Sequence, residues 1–73
     1  MTDIYSAHDA AEEEGQILAS YPCSMRRLKA VQILSRYTAC DWEIILALLP
    51  GLTDNNFEVY QATVLALSSM RLS

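Results

Sequence analysis

Glycine and proline are scarce in this chain, with two of each among 73 residues. Turns depend heavily on these two residue types, so their scarcity excludes a loop-rich or strand-rich fold and favours helices joined by short connections. Gly15 and Gly51 alone cannot form the glycine-rich loop that holds a phosphate. No apolar run approaches the roughly 18–20 residues of a membrane span. The longest run, at residues 44–50, predicts a buried helix segment.

Cysteine and histidine, which supply many nucleophiles and metal ligands, are also rare. Cys23 and Cys40 do not form a CxxC pair, and His8 is the only histidine. A Cys/His nucleophile pair is formally available, but such pairings are weak signals, and we interpret His8 as a solvated residue of the first helical turn. The three side chains lack the spacing of zinc ligands. We therefore expect no metal, no cofactor and no catalytic residue.

The cellular compartment is predicted from the N-terminal sequence. The N-terminus does not resemble a secretory signal, which indicates a cytoplasmic protein. In that compartment Cys23 and Cys40 are expected to be reduced thiols rather than a disulfide.

Acidic residues outnumber basic ones by nine to five, for a formal net charge of −4. Nucleic-acid binding without sequence preference needs a basic surface, so this balance disfavours it. Residues 12–14 are consecutive glutamates, and successive helix residues point about 100° apart, so they cannot converge as an acid/base pair. Residues 54–56 begin like a calcium loop, but Val59 and Leu65 stand where that loop needs Gly and Glu. We interpret residues 54–56 as a helix cap.

Caps and apolar periodicity predict four helices in one all-helical domain, residues 1–73, with a flexible N-terminus at 1–5. The first helix begins after Ser6 and ends before Pro22, because a proline pushes the preceding residue out of the helical region. Ser24 caps the second helix, which runs to about Tyr37. The apolar stripe of the first helix is Ala7, Ala10, Ala11, Ile17, Leu18 and Tyr21, and that of the second is Leu28, Val31 and Leu34.

The third predicted helix is short. It opens at Thr38 with Asp41, and Pro50-Gly51 ends it. The fourth helix begins at a cap among residues 54–56 and runs to about Met70. The third helix has the stripe Trp42, Ile45, Leu46 and Leu49, and Ile44 and Leu48 make it apolar nearly all round. The fourth helix has two stripes, Val59, Ala62, Ala66 and Met70 on one side and Phe57, Tyr60, Val64 and Leu67 on another.

The last two helices are therefore apolar around most of their circumference. Such a helix is central in a core or shared with another chain, and four short helices cannot easily enclose one on all sides. The chain is 52% hydrophobic, more than a domain of this size readily buries. We predict a partner-binding surface made of Trp42, Ile44, Leu48, Phe57, Tyr60, Val64 and Leu65. For each aromatic residue, plain core packing is the alternative.

Basic residues form a polar face on the second helix. Arg26, Lys29 and Arg36 could contact phosphate there. We favour the alternative that these basic side chains lie beside the acidic first helix and form surface ion pairs, which contribute about 0.2–1 kcal/mol each.

Two segments of the chain share a pattern. Residues 5–9 and 37–41 both read Tyr-Ser/Thr-Ala-x-Asp, at an offset of 37 − 5 = 32 residues. Self-similarity at this period is typical of stacked helical hairpins, each of which buries only one face alone. Chance similarity in a chain rich in Leu and Ala is the alternative.

A longer motif begins where the third helix ends. Its residues are Leu48-Leu49-Pro50-Gly51-Leu52-Thr53-Asp54, followed by Val59, Ala62, Ala66 and Leu67, and an earlier stretch reads Arg27-x-x-Ala30-Val31-x-x-Leu34. These motifs resemble the turn and second helix of HEAT and armadillo-like repeats over residues 24–70. The resemblance implies two stacked helical hairpins and a protein-binding scaffold without chemistry of its own.

Three classes of function follow. The leading prediction is an interaction module: an adaptor, chaperone, regulator or inhibitor subunit that binds a protein partner, or itself as a homodimer, through the last two helices. Acidic helical proteins of this size often serve as secretion chaperones or as phage-encoded inhibitors of host machinery, including anti-CRISPR proteins. A helix-turn-helix DNA-binding regulator with its turn at 50–56 is another alternative, although the fourth helix has no basic residue before Arg71. We find no set of residues arranged as a catalytic site for an enzyme. We also expect no small-molecule substrate and no association with a membrane.

Overall fold

The computed structural model describes residues 6–37 and 42–69, and over these residues the protein is all-α. The elements are α1 (Ala7–Ser20), α2 (Ser24–Leu34), α3 (Trp42–Leu48), a 3₁₀ helix (Leu49–Thr53) and α4 (Phe57–Ser69). The predicted fold class of four short helices is confirmed. Predictions that concern residues 1–5, the cap at residues 38–41, Cys40 and Met70 lie outside the described residues. Among the described helices, none has both the length and the apolar composition needed to cross a membrane.

The first helix begins and ends where its sequence predicts. Ser6 is the N-cap, and its Oγ accepts a hydrogen bond from the Asp9 backbone N–H at 3.1 Å. This bond satisfies one of the free donors of the first turn. Tyr21, which precedes Pro22, is extended with φ −70° and ψ 134°, so α1 ends at Ser20.

The caps of the second and fourth helices were harder to predict. The prediction that Ser24 caps α2 is wrong: the N-cap is Cys23, which makes no side-chain cap bond. Instead, the Cys23 carbonyl accepts the first backbone hydrogen bonds of the helix, from Arg26 and Arg27 at 3.1 Å. At α4 the cap is Asn56, whose Oδ1 accepts bonds from two backbone N–H groups of the first turn at 3.0 and 3.2 Å.

The third helix ends earlier than its sequence predicts. It stops at Leu48, and the chain then tightens into a 3₁₀ helix that includes Pro50 and Gly51. Gly51 is buried against Thr63 of α4: a Cβ at position 51 would lie 2.8 and 2.9 Å from the Cβ and Cγ2 of Thr63. Only glycine therefore permits this close approach of the 3₁₀ helix to α4.

The helices stack in two pairs. α1 packs against both α2 and α3, α2 packs against α4, and the 3₁₀ helix contacts α1 and α4. The core between them consists of Ala10, Leu18, Ala30, Val31, Leu34, Ile44, Ile45, Leu48, Val59 and Ala66. α1 and α3 approach closely at Gly15, where a Cβ would lie 3.0 Å from the Cβ of Ala47. The molecule measures 33 × 29 × 15 Å, and a body only 15 Å thick leaves every helix with a side toward solvent.

Candidate functional site

The predicted partner-binding residues divide into an exposed group and a buried pair. Trp42 and Phe57 are 70% and 69% exposed, and Tyr60, Val64 and Leu65 are also exposed. Ile44 and Leu48 are fully buried at 0% exposure, and a fully enclosed side chain offers no surface to a partner. Their assignment to the partner-binding surface is therefore wrong.

The rotation of α3 explains this correction. The predicted apolar stripe was Trp42, Ile45, Leu46 and Leu49, yet the helix buries Ile44, Ile45 and Leu48. A helix that is apolar on all sides carries no periodic signal for its inner face. The inner face is visible only in the packing: Ala47 lies against Gly15 of α1, where an added Cβ would come within 3.0 Å of the Ala47 Cβ.

Exposed apolar residues are concentrated in the second half of the fold. Ten large hydrophobic residues are exposed among the described residues, and eight of them lie between positions 42 and 65. We call these eight the apolar surface: Trp42, Leu46, Leu49, Leu52, Phe57, Tyr60, Val64 and Leu65. The other two are Tyr21 and Met25. Such a concentration of exposed apolar side chains marks interaction sites on soluble proteins.

On α3, part of the apolar surface lies on the side opposite α1. Ala47 marks the side that contacts α1. At about 100° per residue, Trp42 is rotated about 140° from Ala47 around the helix axis. Leu49 directly follows α3, and because Leu48 keeps helical dihedral angles, it is rotated about 160° from Ala47. Both side chains therefore point away from the first pair of helices.

The same relation holds on α4. Ala62 marks the side toward α2, because it lines a groove with Val31. Tyr60 and Val64 are rotated about 160° from Ala62, and Phe57 about 140°. Because α3 packs on α1 and α4 packs on α2, these three residues and the two on the α3 side all point away from the first pair of helices. We call this set the end face: Trp42, Leu49, Phe57, Tyr60 and Val64.

The outer sides of α1 and α2 have the opposite character. Most of their exposed residues are charged or polar, namely His8, Asp9, Glu12, Glu13, Gln16 and Ser20 on α1 and Lys29, Gln32 and Arg36 on the α2 side. The exposed side of the first two helices is therefore mostly polar. The exposed side of the last two carries the apolar surface, together with polar residues such as Gln61 and Ser68, which lie within about 40° of Phe57 around α4.

Two grooves border the apolar surface. The larger, about 460 Å³, lies between α1 and α3 and has Gly15, Leu46 and Ala47 among its lining residues, with Glu12 and Glu43 near one end. The smaller, about 280 Å³, lies between α2 and α4 and includes Leu65. Leu46 and Leu65 thus lie beside the grooves, outside the end face.

His8 connects the first turns of α1 and α3. Its Nδ1 lies 3.0 and 3.1 Å from the two carboxylate oxygens of Glu43, and its Nε2 lies 3.6 Å from Glu12. The hydrogen bond and the charge of Glu43, together with the charge of Glu12, raise the pKa of His8 above its usual 6.5. His8 is exposed in the first turn as predicted, but it has a specific partner on another helix.

The potential metal ligands nearest to one another are also found here. Ligand atoms of His8, Asp9 and Glu12 lie within 4.8 Å of one another. All three side chains are exposed in the first two turns of α1, near the positive end of the helix dipole, which opposes a cation. This cluster does not by itself make a metal site.

An ion pair that the sequence did not reveal joins the two interhelical connections. Arg27 donates to both carboxylate oxygens of Asp54, at 2.7 and 3.1 Å, and to the carbonyls of Tyr21 and Pro22 at 2.8 and 3.1 Å. Asp54 also accepts a bond from the Asn56 N–H at 2.8 Å. Burial alone would raise the pKa of Asp54, but the bonds from Arg27 and Asn56 outweigh it and lower the pKa below 3.8.

The basic face of α2 is only partly paired with α1. Arg26 Nη2 lies 3.1 and 3.4 Å from the two carboxylate oxygens of Glu14. Glu14 is buried, so this pair is partly enclosed and is not the surface pair that the sequence predicted. Lys29 on α2 and Arg36 in the turn after it are exposed, and their predicted role in polar contacts remains a prediction.

Cys23 is a free, exposed thiol at the start of α2. The backbone N–H groups of Arg26 and Met25 lower the pKa of this thiol.

No protein-family model, no curated protein and no solved structure matches this chain. The likeness to HEAT repeats therefore stays a prediction.

Proposed function

We propose that this protein is a non-catalytic, cytoplasmic interaction module that binds a protein partner, or a second copy of itself, through the apolar surface. One observation carries the proposal: eight of the ten exposed large hydrophobic residues lie in one stretch, between positions 42 and 65. Exposed apolar side chains are common singly, whereas a group of this size on so small a protein indicates an interface. An adaptor, a chaperone or an inhibitory subunit would use such a surface.

The exposed area of the aromatic side chains supports a binding role. Large aromatic side chains bury roughly 150–250 Å² each, so exposed fractions near 70% leave roughly 100–170 Å² on each of Trp42 and Phe57. Removing that area from water contributes about 2.5–4 kcal/mol per residue before the costs of association. Residues of this kind dominate binding energy when they become buried between proteins.

The helix-turn-helix alternative has less support. A recognition helix presents basic and polar side chains to the DNA bases and backbone. The only charged residue of α4 is Glu58, and the exposed side of this helix also carries Phe57, Tyr60 and Leu65. An acidic and apolar helix is poorly suited to the negatively charged major groove.

A matched pair of variants tests the proposal. Trp42 and Met25 are 70% and 77% exposed, and each lies in the first turn of its helix. An aspartate is favourable there, because it interacts with the helix dipole. Trp42→Asp and Met25→Asp therefore remove similar exposed area and add the same charge, but only the first lies in the apolar surface.

The assay is affinity capture from lysate of the native host, with mass spectrometry and circular dichroism of each variant. We expect a protein that is retained by the wild type and by Met25→Asp and lost with Trp42→Asp, while helicity is unchanged. Retention of every captured protein by a folded Trp42→Asp variant, together with unchanged self-association, would contradict the proposal.

A further inference from the structure

We infer that the end face binds a second copy of this chain, face to face about a two-fold axis. The inference rests on the proposed function, because it names the occupant of part of the same surface.

The first support is the unequal character of the two ends of the stack. α3 covers one side of α1 and α4 covers one side of α2, whereas the far sides of α3 and α4 are left with Trp42, Leu49 and Tyr60 toward solvent. In stacked helical hairpins, an end that faces water needs a polar outer side. Here the end formed by α1 and α2 is much the more polar of the two. A second copy would cover this end with its own α3 and α4, which have the same dimensions and the same apolar side chains.

The second support is the distribution of charge. A two-fold interface brings the same patch of both copies together, so a charged patch would meet its own sign. The end face has no charged residue, although the chain as a whole carries −4. Among the described residues, the acids that adjoin this face in the chain lie off it: Glu43 is held by His8 of α1, and Glu58 is rotated only about 40° from Ala62, on the α2 side. Within the described part of the chain, self-pairing of this face therefore buries no like charges.

The third support is the area. The exposed fractions of the five side chains correspond to roughly 500 Å² per copy, given roughly 150–250 Å² for a whole large aromatic side chain and less for Leu and Val. Two copies would bury roughly 1,000 Å² in total, which is the lower limit for a specific interface. Three of the five residues, Trp42, Phe57 and Tyr60, are aromatic, a type enriched in interface centres. Interfaces at this lower limit are typically weak and transient, so we expect a dimer that forms between about 1 µM and about 1 mM.

Sedimentation equilibrium of the full chain tests the inference, with loading concentrations from about 1 µM to about 1 mM, a range that brackets the expected dissociation constant. The wild type should approach twice its 8.2 kDa chain mass at the upper end. Phe57→Asp should raise the dissociation constant at least ~30-fold, the effect expected when a central aromatic anchor is lost. Met25→Asp, with an equally exposed side chain off the end face, should behave as the wild type.

Fluorescence locates the interface independently. Trp42 is the only tryptophan and is largely exposed in the single chain. Its emission should shift to shorter wavelength as the wild type is concentrated, and should not shift in Phe57→Asp. Should Phe57→Asp lose its helical circular dichroism signal, Trp42→Asp takes its place in the sedimentation assay.

Other outcomes separate this inference from the proposed function. A wild type that stays monomeric over the whole range overturns self-pairing, and a partner that is captured by wild type but not by Trp42→Asp would then preserve the proposed function. Masses that grow beyond the dimer, or a dimer lost in Met25→Asp and kept in Phe57→Asp, would overturn the two-fold end-face contact.

Discussion

Substitution of Arg27 by methionine should destabilise the protein by about 3 kcal/mol, the lower end of the cost of breaking a buried ion pair by removing one partner. The Arg27 and Asp54 side chains are 14% and 6% exposed. Methionine preserves much of the apolar stem but leaves the Asp54 carboxylate without its cation. The carbonyls of Tyr21 and Pro22 also lose their donor. The two connections that the guanidinium holds together would then be joined only by packing.

The stability lost in Arg27→Met is a large fraction of the total for so small a protein. At about 0.05–0.15 kcal/mol per residue, a chain of 73 residues has a stability of about 4–11 kcal/mol. A loss of about 3 kcal/mol should therefore lower the melting temperature by about 12–24 °C. Urea unfolding followed by circular dichroism gives the free energy directly. A change below about 1 kcal/mol, within the range of exposed ion pairs, would refute the structural role assigned to Arg27.

The pH dependence of the same pair gives a second readout. The pKa of Asp54 is lower in the folded protein than its usual 3.8, so its contribution is present above that value and is lost as the pH falls through the folded pKa. Asp54→Asn should be less stable than the wild type at pH 7, and the difference should shrink as the pH is lowered below about 4. An equal difference at both pH values would show that the carboxylate charge is not the cause.

Two further predictions concern other contacts between helices. Gly51→Ala should lower the free energy of unfolding by about 1–3 kcal/mol, because the added methyl group meets Thr63. In urea unfolding, the double variant with Thr63→Ala should lose less stability than the sum of the two single changes. Simple additivity of the two changes would contradict the contact. In a proton NMR titration, His8 should have a pKa above 6.5 that falls in Glu43→Gln, and the stabilising contact should be present at acidic pH and lost as the pH rises through the folded pKa. An unchanged His8 titration in Glu43→Gln would show that Glu43 does not hold this ring.

Local sequence signals predicted most of the fold. The Ser6 cap and Pro22 bound α1 as expected, because both act on the adjacent backbone. At Ser24 the same reasoning failed: the Cys23 carbonyl begins the helix, and Arg27 reaches back to the carbonyls before it. A side-chain cap at Ser24 competes with these contacts, and they depend on which segments the fold brings together rather than on the local sequence.

Features that join distant residues could not be predicted. Arg27 and Asp54 are 27 positions apart, and no local pattern pairs one arginine of a basic helix with one aspartate of a later turn. Ile44 and Leu48 were misplaced because α3 is apolar on every side, and its inner face is set by packing against another helix. On α4, Phe57, Tyr60 and Val64 of the predicted second stripe are exposed, whereas Leu67 of the same stripe packs against the core.

The central claim is that the apolar surface of α3 and α4 is a site for another protein chain. The most direct measurement compares Trp42→Asp with Met25→Asp in every assembly that the wild type forms, whether with itself or with a captured partner. We predict that Trp42→Asp loses these assemblies and that Met25→Asp keeps them. A folded Trp42→Asp protein that retains all of them would contradict the claim.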